Sequence, residues 1–146
     1  MMRLRRASVI ALLLLAGCTS GSLIGALPAV PDPSLAANVV IVRPFSLFGS
    51  ARRPTITIDG TDTYDIGPGE HVAIPVAPGE RFVGMRIWDL VTIRGAVKIN
   101  AEPGRSYYFV VSPGTTITEV SDAEGRALLA DTQPLGRWSQ PAPAPR

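Results

Sequence analysis

The chain has little of what most active sites are built from. It contains one cysteine, Cys18, and one histidine, His71, among 146 residues. A disulfide needs two cysteines, and the common zinc sites and nucleophile–histidine pairs draw on residue types that are nearly missing here. A glycine-rich phosphate loop is missing as well. The composition therefore argues against a disulfide framework, a histidine-rich metal site and a histidine-assisted serine nucleophile.

Long apolar runs are also missing. The run from Ala7 to Gly17 has eleven residues, which as a helix would rise about 16 Å, roughly half the thickness of the hydrocarbon core. No later stretch approaches the roughly 20 apolar residues of a membrane helix. Arg3, Arg5 and Arg6 precede the run, and a basic segment followed by a short apolar one is typical of an export signal. We predict that residues 1–17 are a cleaved signal peptide.

Four residues at the end of this run carry a more specific signal. Leu15-Ala16-Gly17-Cys18 resembles the lipobox of bacterial lipoprotein precursors. The resemblance implies that the signal peptidase recognises Leu15, Ala16 and Gly17, and that the Cys18 thiol is lipidated. Two or three acyl chains such as palmitate would anchor the protein firmly, because each buried methylene contributes about 0.8 kcal/mol. The residue after Cys18 is Thr19 and not aspartate. By resemblance to the sorting of enteric lipoproteins, this implies transfer to the periplasmic face of the outer membrane of a bacterial cell envelope.

Loss of the signal peptide changes the charge of the protein. The full chain has 14 lysines and arginines and 12 acids, and residues 1–17 contain three of the arginines and none of the acids. The mature chain would hold 11 basic residues against 12 acids, so no basic excess remains that would indicate nucleic acid binding. Lipidation of Cys18 would also leave the folded part without a thiol for catalysis or metal binding.

Proline content divides the mature chain into three parts. Residues 18–37 contain three prolines and no sustained apolar period, which predicts a lipidated cysteine on a flexible tether with a reach of about 25 Å. Residues 133–146 contain four prolines and predict an extended Pro/Ala-rich tail. Residues 38–132 between them are predicted to form one domain.

Apolar residues within 38–132 follow the two-residue period of β-strands. Thr55-Ile-Thr-Ile58 alternates and is followed by the hairpin dipeptide Asp59-Gly60. The stretch 81–90 has two apolar faces, with Val83, Met85 and Ile87 on one and Phe82 and Trp88 on the other. Four Pro-Gly pairs fit turns between such strands. Short strands about ten residues apart predict an all-β fold, a small antiparallel β-sandwich.

Three segments invite a more specific interpretation. Residues 107–111 are apolar on both faces, which predicts a central strand. The runs Val39–Val42 and Thr115–Val120 are the candidate edge strands, where a partner's strand can pair. For the residues around 123–130 the sequence is compatible with a short helix as well as with a strand.

Several stretches of the domain resemble a known family. Ala37-Asn-Val-Val-Ile-Val-Arg-Pro44, Pro78-Gly79-Glu80, Ala101-Glu-Pro-Gly-Arg-Ser-Tyr-Tyr108 and Thr118-Glu-Val-Ser-Asp-Ala-Glu-Gly125 are similar to the pattern of bacterial lipoproteins that carry the domain of unknown function 2846. The resemblance spans about residues 38–130 and implies an immunoglobulin- or prealbumin-like sandwich, with no known activity. Residues 85–95 have no counterpart in that pattern.

Two groups of residues form the candidate binding surface. Trp88, with Arg86 and Asp89 beside it, offers an aromatic face with a polar rim, as a glycan site would. Packing inside the sandwich, in the core or half-buried, is the alternative that we favour for Trp88. Phe45, Phe48, Arg52 and Arg53 follow the first strand. These residues either contact lipid headgroups or a partner, or the two phenylalanines close one end of the sandwich.

Three further patterns are weaker evidence for a functional site. Asp59, Asp62 and Asp65 offer oxygen ligands for calcium, but they lack the spacing of an EF-hand loop and fit a hairpin turn. A hydrolase would need two converging carboxylates, for which Asp89 and Glu119 are the candidates. Gly21 and Gly25 match the Gly-x-x-x-Gly motif outside any membrane helix, so that match has no meaning for helix pairing.

The function expected from these features is that of a non-enzymatic, lipid-anchored structural or adaptor module. Its partners would be the membrane, through the lipid on Cys18, and another protein of the envelope. A lipoprotein that binds peptidoglycan or another glycan through Trp88 is the alternative, and a carboxylate hydrolase is the third hypothesis. We expect no catalytic residues, no metal and no cofactor.

Overall fold

A computed structural model describes residues 20–88, 93–113 and 116–135, so the predicted signal peptide of residues 1–17, Cys18 and Asp89 lie outside the described residues. Strands make up 50% of the structure and helix 11%. The described strands are β1 (Ser22–Leu23), β2 (Ala37–Arg43), β3 (Thr55–Ile58), β4 (Thr61–Asp65), β5 (Glu70–Val76), β6 (Gly79–Ile87), β7 (Ile93–Ala101), β8 (Ser106–Val111), β9 (Ile117–Val120) and β10 (Gln133–Pro134). The helix α1 spans Asp122–Ala130, after a 3-10 turn at Pro33–Leu35.

The strands form two five-stranded sheets. The first sheet has the order β1-β4-β3-β6-β7 and the second β10-β5-β2-β8-β9. The first is antiparallel throughout, whereas the second contains two parallel pairs, β2 with β8 and β10 with β5. The expected all-β arrangement of two sheets is confirmed, but its purely antiparallel form is wrong. Because β2 and β8 are far apart in the chain, no hairpin forces them to run in opposite directions.

The core lies between the two sheets. On β2 the side chains of Ala37, Val39 and Ile41 point into it, and Ile56 of β3 and Met85 of β6 meet them from the first sheet. All five are at most 1% exposed. The two-residue period predicted from the sequence therefore separates inward from outward residues on these strands.

The helix α1 covers the outer face of the second sheet. Val40, Val42 and Tyr108 are buried there and pack against Leu128 and Leu129. This third layer explains why β2 and β8 are apolar on both faces. β8 lies between β2 and β9, as predicted, and β9 is the last strand of its sheet. The prediction that residues 39–42 form an edge strand is wrong, because β2 pairs on both sides.

The N-terminal segment lies along the first sheet. β1 pairs with β4, and the amides of Ile24 and Gly25 both donate to the Thr63 carbonyl, at 2.9 and 3.2 Å. A Cβ added at Gly21 or Gly25 would lie 2.2 or 2.1 Å from a β4 carbonyl oxygen. These contacts differ from the flexible tether expected for residues 18–37. The four-residue glycine spacing reflects close approach of two strands.

The segment after α1 is also held on the domain. Gln133 and Leu135 donate backbone hydrogen bonds to Gly69 and His71, at 2.9 and 2.8 Å. The Nδ1 atom of His71 lies 2.9 Å from the Thr132 hydroxyl, and partial burial lowers the pKa of this imidazole. His71 is thus part of the β5–β10 junction. Of the expected tail, residues 136–146 lie outside the described part.

Gly125 sets the distance between α1 and the second sheet. A Cβ added there would lie 2.2 Å from Cγ of Tyr108. We expect Gly125→Ala to destabilise the fold by about 1–3 kcal/mol, because the overlap outweighs the gain in helix propensity. Gly95→Ala is the matched control, since a Cβ there meets only Ile117, at 3.9 Å. Urea unfolding measures both variants, and equal midpoints would contradict this packing.

Candidate functional site

One end of the sandwich gathers the residues of interest. Residues 44–54 join β2 to β3 there, residues 66–69 join β4 to β5, and the N-terminal segment arrives beside them at Gly21. We call this the Gly21 end. It is also where β6 ends, because Thr55, the first residue of β3, pairs with Arg86. The two predicted groups, around Trp88 and around Phe45, therefore lie at the same end.

Arg43 is the buried cation of this end. Its side chain, 4% exposed, donates to the carbonyl oxygens of Ile66 at 2.7 Å, Gly49 at 2.8 Å and Arg52 at 2.9 Å. Burial lowers the pKa of this guanidinium, and the charge of Glu70 acts in the opposite direction. One guanidinium thus holds both connections of the Gly21 end in place. Its several N–H donors lie in one plane and point in different directions, so it can bind several carbonyl oxygens at once.

Glu70 is the buried anion beside it. Arg43 and Glu70 are partners in the β2–β5 register, and Glu70 is 4% exposed. Its Oε2 atom accepts hydrogen bonds from the amides of Gly67 at 2.7 Å and Gly21 at 2.8 Å. Its Oε1 atom is buried and has no hydrogen-bond partner among the described residues. The carboxylate therefore fixes the N-terminal segment to the domain.

The connection of residues 44–54 presents apolar side chains to solvent. Phe45, Leu47 and Phe48 are 67, 83 and 73% exposed. The phenylalanines do not close the end of the sandwich, which was one of two interpretations of the sequence. Arg52 and Arg53 in the same connection are exposed, and each also interacts with other groups of the chain.

Trp88 lies just past β6 at the same end. It is 65% exposed, so the packing inside the sandwich that we expected for it does not occur. The guanidinium of Arg86 lies 4.8 Å from the centroid of the indole and also pairs with Asp62. A cation over an aromatic face is attracted by the ring quadrupole. Arg86 therefore positions the indole while leaving much of its surface open to contact.

The three aspartates considered as calcium ligands have separate partners. Asp59 accepts from Arg81 and from the Phe82 amide at 2.8 and 2.9 Å, and Asp62 pairs with Arg86. Asp65 accepts from the Thr55 hydroxyl at 2.8 Å. Within residues 20–88, 93–113 and 116–135 no group of three histidine, cysteine or acidic side chains could hold a metal ion.

A charged cavity lined by described residues lies away from the Gly21 end. It encloses about 560 Å³ between the start of β8, the end of β9 and the start of α1. Arg105, Glu119, Asp122 and Arg126 line it, and Arg126 pairs with Asp122 at 2.8 Å. Glu119 is exposed here, on the sheet opposite the one that carries Arg86. The Asp89–Glu119 hypothesis stays a prediction, because Asp89 lies outside the described residues.

Comparison with known proteins adds no relative to this description. No family model matches the chain, and no curated protein or solved structure matches it. No described helix is long and apolar enough to cross a membrane.

The role of Glu70 gives a testable prediction. Glu70→Ala would leave Arg43 buried without its neighbouring charge and two amides without an acceptor, at an expected cost of about 3 kcal/mol. Glu70→Gln keeps one acceptor oxygen and should cost about 1–2 kcal/mol. Hydrogen exchange at the Gly21 and Gly67 amides should accelerate in both variants.

Glu80→Gln is the matched control, because the Glu80 side chain is 55% exposed and pairs with Lys98 on the surface. Its unfolding free energy should change by less than about 0.5 kcal/mol. Unchanged exchange at Gly21 in Glu70→Ala would contradict the assignment of Glu70 as the residue that holds the N-terminal segment.

Proposed function

We propose that this protein is a lipoprotein of the bacterial envelope, anchored through acylated Cys18, whose β-sandwich serves as a non-enzymatic structural or adaptor module. The observation that carries the proposal is the attachment of the chain at Gly21. Gly21, which lies three positions after Cys18, donates its amide hydrogen bond to buried Glu70, and β1 begins at the next residue. A lipid on Cys18 would therefore hold the domain at the membrane by a short connection. The finer proposal is an immunoglobulin- or prealbumin-like sandwich of the type that the family resemblance implies.

The use of the buried charges supports a structural role. Arg43 donates its hydrogen bonds to three backbone carbonyls, and Glu70 accepts hydrogen bonds from two backbone amides. Here both charges fix loops at the end of the sandwich.

The anchor is tested by replacing the acylated residue. Cys18→Ser removes the thiol, so we expect complete loss of fatty acid incorporation and loss of membrane association. Metabolic labelling with a fatty acid, followed by membrane fractionation, measures both. Thr19→Ser is the matched control, because it changes the next residue and leaves the thiol in place. Wild-type protein that takes up no label would refute the anchor.

An adaptor needs a docking surface, and β9 is the candidate. It is the last strand of the second sheet, so one side of its backbone pairs with none of the described strands, and an edge of this kind can be extended by a partner's strand. A photo-crosslinking residue at exposed Thr118 should capture one discrete envelope protein in cells, whereas one at exposed Thr61, on an inner strand, should not. Equal capture from both positions, or from neither, would contradict docking at β9.

Glycan binding is the second candidate, and the exposure of Trp88 is the observation that favours it. An exposed indole beside a cation suits the apolar face of a sugar ring. Co-sedimentation of the protein with purified peptidoglycan, lost in Trp88→Ala and kept in Phe82→Ala, would support this candidate over the adaptor. Phe82 is a fair control because it is 45% exposed on the same face of β6.

A further inference from the structure

The most exposed large apolar side chains of the described residues share one location. They are Phe45, Leu47, Phe48 and Trp88, each at least 65% exposed, and all four lie at the Gly21 end. Contiguous apolar side chains on a soluble surface commonly mark a membrane or protein contact. What covers them is indicated by the position of the N-terminal segment.

The distance from Cys18 to the domain is short. Gly21 follows Cys18 by three positions, with two residues between them, and a fully extended chain spans at most about 11 Å over that interval. The Gly21 amide is fixed at 2.8 Å from a carboxylate oxygen of Glu70. An acyl chain on Cys18 would therefore start within about 11 Å of the Gly21 end, much less than the reach of a free twenty-residue tether.

The exposed connection lies directly beside this point. Ser20 and Phe45 line the same cavity of about 220 Å³, together with Pro68 and Glu70. A Cβ added at Gly69 would lie 3.6 Å from Cβ of Phe45. Residues 44–54 and the chain leading from Cys18 are thus neighbours at one end of the sandwich.

We infer that the Gly21 end rests on the membrane surface and that Phe45, Leu47 and Phe48 enter the boundary between headgroups and acyl chains. The inference rests on the proposed anchor at Cys18 and adds a second, non-covalent membrane contact. Apolar side chains of interfacial proteins enter this boundary to a depth of about 5–10 Å. The short connection leaves little room for another protein between this end and the lipid, so the bilayer is the occupant that the geometry favours.

The test uses the lone cysteine of the sequence. Once Cys18 is acylated, a cysteine introduced elsewhere is the only free thiol of the mature protein. Leu47→Cys places an environment-sensitive fluorophore in the exposed connection. Leu35→Cys is the matched control, because Leu35 is 47% exposed and lies just before β2, at the opposite end of the sandwich. The full mature protein is reconstituted in vesicles of phosphatidylethanolamine and phosphatidylglycerol.

The expected result is a difference between the two positions. Lipids that carry a nitroxide on the acyl chain should lower the fluorescence at position 47 about twofold or more, because that position lies within the interfacial layer. They should leave the fluorescence at position 35 nearly unchanged. Iodide in the aqueous phase should quench the two positions in the reverse order.

The other outcomes separate the inference from the proposed anchor. Wild-type protein with a reactive Cys18 thiol and no association with vesicles would refute the anchor, and the membrane contact with it. An acylated, vesicle-bound protein whose position 47 is quenched by iodide as strongly as position 35 would refute the membrane contact alone. Shielding of position 47 from both quenchers would overturn it in favour of contact between copies of this chain.

A second pair of variants tests the contact without a label. Leu47→Ser with Phe48→Ser should increase extraction of the acylated protein from vesicles by carbonate or mild detergent several-fold, because apolar area buried in the interface contributes to binding. Leu35→Ser is the control and should behave as wild type. Both residues of the double variant are at least 73% exposed, so folding should be unaffected. Equal extraction of the double variant and the control would contradict the inference.

Discussion

Two opposite charges, Arg43 and Glu70, are buried side by side where β2 ends and β5 begins, and the arrangement of the whole Gly21 end depends on how they are satisfied. Each charge taken out of water costs several kcal/mol unless hydrogen bonds and a counter-charge replace its hydration. Here the replacement comes from five backbone groups, three carbonyls for the cation and two amides for the anion. The connections at this end must therefore lie where those groups can reach the charges.

This constraint extends to the N-terminal segment. Without Glu70 the amide of Gly21 would face the body of the domain with no acceptor, and a buried donor without a partner costs about 1–3 kcal/mol. With Glu70 in place, Gly21 is fixed, and β1 pairs with β4 at the edge of the first sheet. Gly21 and Gly25 have no side chains that would keep the segment from the carbonyls of β4. A buried carboxylate and two glycines thus convert a proline-containing segment into part of the fold.

The sequence predicts the repeating parts of this structure well. The β3–β4 hairpin follows from Asp59-Gly60, because both residues adopt the positive φ angles, 51 and 79°, that such a turn requires. The central place of β8 follows from its two apolar faces. The exposure of Trp88 also had a signal, since the two-residue alternation of residues 81–90 assigns Trp88 to the face opposite to Val83, Met85 and Ile87. We expected packing for it because a large ring usually fills a small core.

The parts that sequence patterns miss depend on contacts between distant residues. Arg43 and Glu70 look like ordinary polar residues at strand ends, and their burial depends on the β2–β5 register and on loops far apart in the chain. From its sequence Val39–Val42 is predicted to be an edge strand. In the structure its outer face packs against α1 and its backbone pairs with β8. The segment before β2 has the composition of a tether. Its attachment depends on one carboxylate about fifty residues away, as the separation of Gly21 and Glu70 shows.

A fixed N-terminal segment also affects how strongly a weak membrane contact contributes to binding and to the orientation of the domain. Three exposed apolar side chains in a connection give only marginal affinity for a bilayer when the protein is free in solution. With the proposed lipid on Cys18, within about 11 Å of Gly21, the same side chains would face the bilayer at a high effective concentration, because the second contact would then be intramolecular. A long flexible tether would lower that concentration and let the domain turn. The hydrogen bond from Gly21 to Glu70 is therefore the element that would convert a simple lipid attachment into a defined orientation, with the charged cavity toward the opposite end held away from the membrane.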